Sequence, residues 1–383
     1  MINKEKLKIQ EEAFSALRAN NFRGIVILPT GTGKTFVLIE CLRALWQPGM
    51  RVLYTCDSQL LRDGGFDDEL RKWGAEQFIP LIEKKCYAGA YKMEEEYYDI
   101  LLADEGDYAL TPEYSKLFFK NKFKYIIFVS ATLDAKKRKI AKEIAPIVYA
   151  KKPKEIEDAK VINKSQFFIV PYMLNDKENR TYLMYNERFK AILNEQPPPF
   201  SNLEQTKQWQ DKRQKNLDFL SIDRKHFLAS LESSAYICRK LMKELYEQDQ
   251  KAKMLVFCGL NSQADRVCKY SYHSGSEHLN NLEKFDKGEI VALSVCGKVN
   301  RGVNINGVKR IIAEHVSRSE TAMIQKTGRG RRLDVDDILE VYLLLPYFKT
   351  AKGKIKPTIV EDWIITAARN LGIENRKIYY VKS

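Results

Sequence analysis

Gly24-Ile25-Val26-Ile27-Leu28 runs straight into Pro29-Thr30-Gly31-Thr32-Gly33-Lys34-Thr35 and then into Phe36 to Trp46, and this stretch decides the fold. A short continuous apolar run reads as a strand covered on both faces. The glycine-rich turn ends in Gly-Lys-Thr, and the residues beyond it carry helical apolar spacing until Pro48-Gly49 stops them. Strand, loop and helix in that order make a phosphate cradle. The glycines let backbone N–H groups approach phosphate oxygens, which then lie at the positive end of a helix dipole. Lys34 is spaced to reach β- and γ-phosphates, and the Thr35 hydroxyl to ligate Mg²⁺. The full pattern has a glycine where this chain has Leu28.

Similar strands recur on either side of a different middle. From about residue 20 to 150 they are Gly24–Leu28, Arg51–Tyr54, Ile100–Ala103 and Tyr125–Val129. From about 250 to 350 they are Met254–Phe257, Ile290–Leu293, Arg310–Ala313 and Val341–Leu345. Strands alternating with helical patterns predict parallel α/β architecture. Between them, 151–165 is rich in Lys and Glu, Pro197-Pro198-Pro199 breaks any helix, and Glu204 to Lys215 is almost wholly polar. Thr181–Leu193 and His226–Leu245 have helical apolar spacing. The expected organisation is a nucleotide-binding α/β domain over 1–152, a linker and helical segment over 153–250, and a second α/β domain over 251–383.

Asp104-Glu105 closes the strand that ends in Leu102-Ala103. A carboxylate at the carboxyl end of a strand in the sheet that carries the phosphate loop is placed to hold Mg²⁺. The acid after it is placed to take a proton from an attacking water.

Composition narrows the class. With 383 residues the prior is roughly two to three domains. The chain is 44% apolar, with 20 Tyr, 18 Phe and 4 Trp, so it has material for real cores. Its net charge of +14 favours polyanionic partners. No apolar run approaches the ~18–20 residues of a membrane span, and Met1 to Lys6 lacks the apolar region of a signal peptide. Seven scattered cysteines read as reduced intracellular residues. Cys258, Cys268, His273 and His278 lie close together, but the nine-residue gap between the cysteines does not fit a zinc knuckle.

Taken together these motifs resemble those of the superfamily 2 helicases and translocases, in the family's order. Pro29–Thr35 matches the first motif and Asp104-Glu105-Gly106-Asp107 the second, with Gly106 in place of the usual alanine. Arg51 to Arg62, containing Leu53-Tyr54-Thr55, falls where the family has its Ia strand and a nucleic-acid-contacting loop. Ser130-Ala131-Thr132 matches the third motif. Met254–Asn261 matches the fourth, and Tyr272-His273-Ser274-Gly275 with Phe285–Ile290 resembles the approach to the fifth. The fifth is Asn300-Arg301-Gly302-Val303-Asn304-Ile305, with Asn304 where many members carry aspartate. The sixth is Gln325-Lys326-Thr327-Gly328-Arg329-Gly330-Arg331-Arg332. Leu174, Glu178 and Tyr182 follow the linker pattern of the excision-repair and chromatin-remodelling branches.

The resemblance implies two tandem RecA-like parallel-sheet α/β domains with an ATP cleft between them, plus a mainly helical linker or insertion. It implies an ATP-dependent helicase or translocase that couples hydrolysis to domain closure and strand travel. ATP and Mg²⁺ are the implied cofactors. Catalysis is expected from Lys34, Asp104, Glu105, Gln325, Arg329 and Arg332, the two arginines acting as fingers. ATP contacts are expected from Gln10, Pro29, Thr30, Gly31, Thr32, Gly33, Lys34, Thr35 and Gly302, and metal contacts from Thr35 and Asp104. DNA is favoured over RNA, because the branches suggested by the linker act mainly on DNA. A monomer in the cytoplasm of a prokaryotic or phage-infected cell is expected, with no membrane partner. Alternatives are the motor subunit of a multi-chain restriction-like complex, with partner chains, and an RNA helicase. A small-molecule kinase would share the phosphate loop without needing the second α/β domain, and a non-catalytic scaffold would not retain Lys34, Glu105 and the arginines.

Overall fold

The computed structural model describes residues 3–57, 59, 61–131, 133, 135–197, 199, 203–275, 280–296, 307–316, 337–371 and 376–382. These residues build two sheets. The first contains β1 (Arg23–Ile27), β2 (Val52–Cys56), β3 (Ile82–Cys86), β4 (Tyr97–Ala103), β5 (Lys122–Ser130) and β6 (Ile147–Ala150) in the order β3-β2-β4-β5-β1-β6. Every neighbouring pair is parallel.

Period-two alternation sorts the first sheet's side chains into two cores. Val26, Val52, Tyr54, Ile100, Leu102 and Ile127 face helices α1 (Lys4–Ala19) and α2 (Lys34–Leu45). Ile25, Leu53, Leu101, Ile126 and Phe128 face the other way, onto Leu117, Phe118 and Ala141. Helices on both faces mark a doubly wound sheet, in which the loops leaving the carboxyl ends of the strands carry the chemistry.

The second sheet contains β7 (Ser165–Met173), β8 (Lys253–Phe257), β9 (Ser271–Tyr272), β10 (Ala292–Val295), β11 (Val308–Ala313), β12 (Leu339–Lys349), β13 (Ile355–Pro357) and β14 (Arg376–Ile378). Its order is β14-β7-β12-β11-β8-β10-β9, all parallel, with β13 folded back antiparallel on β12.

The 153–250 segment differs from the sequence reading. Ser165–Met173 is a strand that pairs with β12 over its whole length, so the second sheet begins in residues expected to be linker. Its neighbours rich in Lys and Glu, and Pro171 inside it, disguised the pattern. Pro171 is tolerated because β14 pairs only as far as Ile169, leaving that side of Pro171 without a strand partner among the described residues. The polar stretch Glu204–Lys215 belongs to a helix over Leu203–Ala229, antiparallel in sequence sense to the helix Asp176–Asn194. Arg213 donates from Nε and Nη2 to the carbonyls of Ile192 and Leu193, and the Arg224 guanidinium lies 4.0 Å from the Phe189 ring centre. A mostly solvated helix is thus held by side chains reaching across and, in its later turns, by the buried Leu220, Leu228 and Ala229.

Leu174, Glu178 and Tyr182 join these helices to the second sheet. Glu178 completes a capping box with Asn175 at the start of its own helix. The same carboxylate accepts from the backbone N–H groups of Glu232 (2.6 Å) and Ser233 (3.1 Å), at the start of the helix Glu232–Gln248. One buried anion therefore satisfies two helix N-termini. Tyr182 is buried, and its hydroxyl accepts from the Ile359 N–H at 2.9 Å.

Candidate nucleotide site

The phosphate loop leaves β1 and enters α2 through two left-handed glycines, Gly31 at φ 93° and Gly33 at φ 89°. Gly33 is the N-cap of α2, so the chain arrives with its N–H groups turned toward the loop. Thr32 folds its hydroxyl back onto the Pro29 carbonyl at 2.7 Å. Leu28 is fully buried, and its N–H still bonds the Ser130 carbonyl at 2.9 Å. Residue 28 thus lies just beyond the end of β1, its backbone still tied to β5 and its side chain packed in the core.

Gln10, on α1, lies beneath this loop. It is buried and donates from Nε2 to the Thr32 carbonyl at 2.8 Å. A Cβ on Gly33 would stand 2.1 Å from that Nε2, so any other residue there would displace Gln10 as well as strain a backbone at φ 89°.

Lys34 and the second motif meet in space. Lys34 is buried, and its Nζ lies 3.3 Å from Oε1 of Glu105. Oε2 of Glu105 is buried and has no hydrogen-bond partner among the described residues. Glu105 holds φ 46°, ψ 45°, a left-handed conformation that costs energy for a non-glycine residue.

Asp104 is held on every side. Its N–H donates to the Thr55 carbonyl, its Oδ1 accepts from the Glu105 N–H (2.9 Å), and its Oδ2 accepts from the Tyr54 hydroxyl (3.2 Å). The Tyr87 hydroxyl donates to its carbonyl at 2.9 Å. Burial, and then the neighbouring Glu105 charge, push the Asp104 carboxyl up to about 7, while Lys34 pulls the other way. A carboxylate poised like this gains from a cation. The fit to a nucleotide with a divalent metal rests on three features: the glycine cradle, the buried lysine, and a destabilised carboxylate beside Glu105, whose Oε2 has no hydrogen-bond partner among the described residues.

Asp107 carries the site into β5. It is buried, accepts from the Ser130 hydroxyl at 3.1 Å and pairs with Lys137 at 2.9 Å. Thr132 lies outside the described residues, as do Gly302, Gln325, Arg329, Arg332 and the whole of Asn300–Ile305. In the second sheet His273 is buried, with Nε2 2.9 Å from Oδ1 of Asp265 and Nδ1 accepting from the Gly275 N–H.

Sequence reasoning brought Pro29–Thr35, Asp104 and Glu105 to one place, and the structure joins them. It missed the two tyrosines that hold Asp104. Tyr54 stands out only as part of an apolar strand and of the stretch that resembles the family's Ia strand, and nothing in the spacing around Tyr87 distinguishes it from a core aromatic.

Comparison with known proteins agrees with this geometry. Residues 3–129 match the family described as type III restriction enzyme, res subunit, and residues 237–334 match the helicase conserved C-terminal domain. The chain is 23% identical over 352 residues to the DNA 3'-5' translocase XPB2 of Sulfurisphaera tokodaii, covering 85% of this chain and 79% of that one. In fold it is similar to a putative HsdR subunit of a type I restriction enzyme from Vibrio vulnificus, with TM-score 0.61 and 16% identity, covering 98% of this chain and 68% of the other. It is also similar to S. cerevisiae Dbp5 bound to RNA and ADP BeF3, with TM-score 0.59 and 12% identity, covering 98% and 90%. With two RecA-like sheets, a phosphate loop joined to an acidic second motif, and both helicase halves matched, the chain belongs to the superfamily 2 helicases and translocases, enzymes that hydrolyse ATP.

Proposed function

We propose that the chain is a DNA translocase or helicase driven by ATP·Mg²⁺, and the observation that carries this reading is the 3.3 Å approach of Lys34 to Glu105 beside the buried Asp104. In this reading the N–H groups of the loop from Gly31 to Thr35 and the Lys34 ammonium bind and orient the β- and γ-phosphates. Thr35 and Asp104 hold the metal, which when bound neutralises charge on those phosphates. Glu105 orients a water and takes its proton. Gln10 supports the loop from below. Gln325, Arg329, Arg332 and Gly302 come from the second domain, and the arginines offset charge that develops on the γ-phosphoryl group.

DNA is favoured by the relative named as a DNA translocase, by the linker pattern at Leu174, Glu178 and Tyr182, and by the net charge of +14. The match to a restriction-enzyme subunit favours a second reading, in which the chain is the motor of a multi-chain DNA-processing complex. We further infer a monomeric motor acting in the cytoplasm. Steady-state ATPase assays with single-stranded DNA, duplex DNA, branched DNA and RNA as alternative activators test the proposal. Stimulation by any DNA arm above RNA supports it, and stimulation by RNA alone overturns it.

A further inference from the structure

Three partly buried tyrosines form a row at one end of the first sheet. Tyr91 follows β3 through a single helical turn, Tyr87–Ala90. Tyr108 and Tyr114 follow β4 and the Asp104–Asp107 turn. Because β3, β2 and β4 are parallel, both connections leave the sheet at its carboxyl edge, where open α/β sheets bind ligands.

The rings are close neighbours. Tyr91 and Tyr114 have centroids 5.1 Å apart, tilted by 48°, and Tyr114 and Tyr108 are 5.6 Å apart, tilted by 37°. Tyr108 and Tyr114 rest on the apolar core that contains Tyr87, Leu110 and Leu117. Tyr108 lies 6.4 Å from Tyr87, whose hydroxyl holds the Asp104 carbonyl, so the row runs to the edge of the nucleotide site.

The surrounding charge is mixed. Lys92 lies 5.8 Å from the Tyr91 ring centre, and Glu113 is exposed beside Tyr114. A phosphate track would need a run of cations, whereas what this edge offers is three partly exposed aromatic rings, two of them anchored on the core of the sheet. Aromatic faces on a rigid support suit unpaired bases, because every base has a π-face to stack.

We propose that Tyr91, Tyr114 and Tyr108 form a stacking platform for the bases of single-stranded DNA, a proposal that rests on the reading of the chain as a DNA motor. The probe is an oligodeoxythymidylate carrying one 2-aminopurine, titrated with the full-length protein at several salt concentrations, with variant folding checked by circular dichroism melting. Wild-type protein should quench the 2-aminopurine fluorescence. Tyr91→Ala and Tyr114→Ala should lose quenching and bind ~5- to 100-fold more weakly, the range expected for a lost base–aromatic stack. Tyr114→Phe should retain both properties. Tyr114→Leu, which keeps apolar bulk for the core and loses the π-face, should behave like the alanine variant. The slope of affinity against salt should not change, since no phosphate contact is removed.

Wild-type affinity and quenching in the alanine and leucine variants would overturn the platform and leave the motor reading intact. A shallower salt slope in those variants would also overturn it, by assigning the tyrosines to the phosphate backbone. Failure of the wild-type protein to bind any DNA strand would overturn the platform and the DNA reading together.

Discussion

Gly106 lies against the face of Phe128, so close that a methyl group at residue 106 would stand 2.4 Å from Cζ and 2.6 Å from each Cε. Phe128 is fully buried on β5, in register with Ala103, and Phe118 lies 6.1 Å from it on the same core. Where related second motifs carry alanine, this chain needs glycine because β5 brings an aromatic ring beneath the turn.

Gly106→Ala should therefore cost about 1–3 kcal/mol of stability as an overpacking defect. Phe128→Leu in the same chain should recover part of that loss, although each change alone destabilises. Chemical denaturation of the two single variants and the double variant measures the coupling, and additive losses would show that the contact is not what excludes alanine.

Lys34→Ala and Glu105→Gln should separate binding from chemistry. Lys34 is the cation that reaches the loop, so its loss should abolish both ATP binding and turnover. Glu105→Gln keeps the shape but cannot accept a proton. ATP should still bind, while hydrolysis falls by ~10² or more. Equilibrium binding of a fluorescent ATP analogue together with single-turnover hydrolysis distinguishes the two, and equal loss of affinity and rate in Glu105→Gln would make Glu105 a binding residue.

Asp104 gives a pH signature. Its carboxyl is raised from the ordinary 3.8 to about 7, with burial as the first cause and Glu105 as the second. Between those values the folded protein holds a proton that the unfolded chain has released. Stability contributed by this group should therefore fall as pH rises from about 4 to about 7, then level off. Metal-free melting curves at pH 5, 6, 7 and 8 should show wild type losing ground relative to Asp104→Asn over this window. Mg²⁺ with nucleotide should remove the difference at pH 8. Parallel curves for the two proteins would remove Asp104 as the titrating group.

What could be read from the sequence was whatever lies contiguous in it. Pro29–Thr35 and Asp104-Glu105 announce their chemistry because loop, helix start and strand end are each defined by neighbours along the chain. The supports of Asp104 are different: Tyr54 and Tyr87 reach it from β2 and from beyond β3, and only the sheet order β3-β2-β4 brings the carboxyl ends of those strands near that of β4. The strand Ser165–Met173 was hidden for a similar reason, since its place is fixed by β12, more than a hundred residues away. Gln10 was suggested by the resemblance; its contact with the Thr32 carbonyl depends on how α1 lies against α2.

Glu178 tests how the helical segment is tied to the second sheet. Glu178→Gln keeps the size but loses the charge that serves two helix starts, and Glu178→Ala leaves the Glu232 and Ser233 N–H groups without their acceptor. The alanine variant should lose about 0.5–2 kcal/mol, the cost of a lost helix cap, and the glutamine variant less. Hydrogen exchange should show the loss first at the start of Glu232–Gln248. A uniform effect along the chain, or none, would contradict the capping role.

Arg329 and Arg332 test the two-domain engine. They lie nearly 300 residues from Lys34 in sequence, so they can act on its phosphates only if the second domain closes over the first. As fingers, they contribute contacts that strengthen while charge develops on the γ-phosphoryl group. Truncating either should lower kcat by ~10³ or more, with a much smaller loss of ATP affinity. Stimulation by DNA should also vanish, because a bound strand favours the closed arrangement. If instead the two arginines only grip phosphates of the strand, DNA affinity should drop with a shallower salt slope, and turnover at saturating DNA should stay near normal. Measuring kcat at saturating DNA for Arg329→Ala and Arg332→Ala separates these outcomes. Near-normal turnover there would take both arginines out of the ATP site and leave Lys34, Asp104 and Glu105 to act without a finger from the second domain.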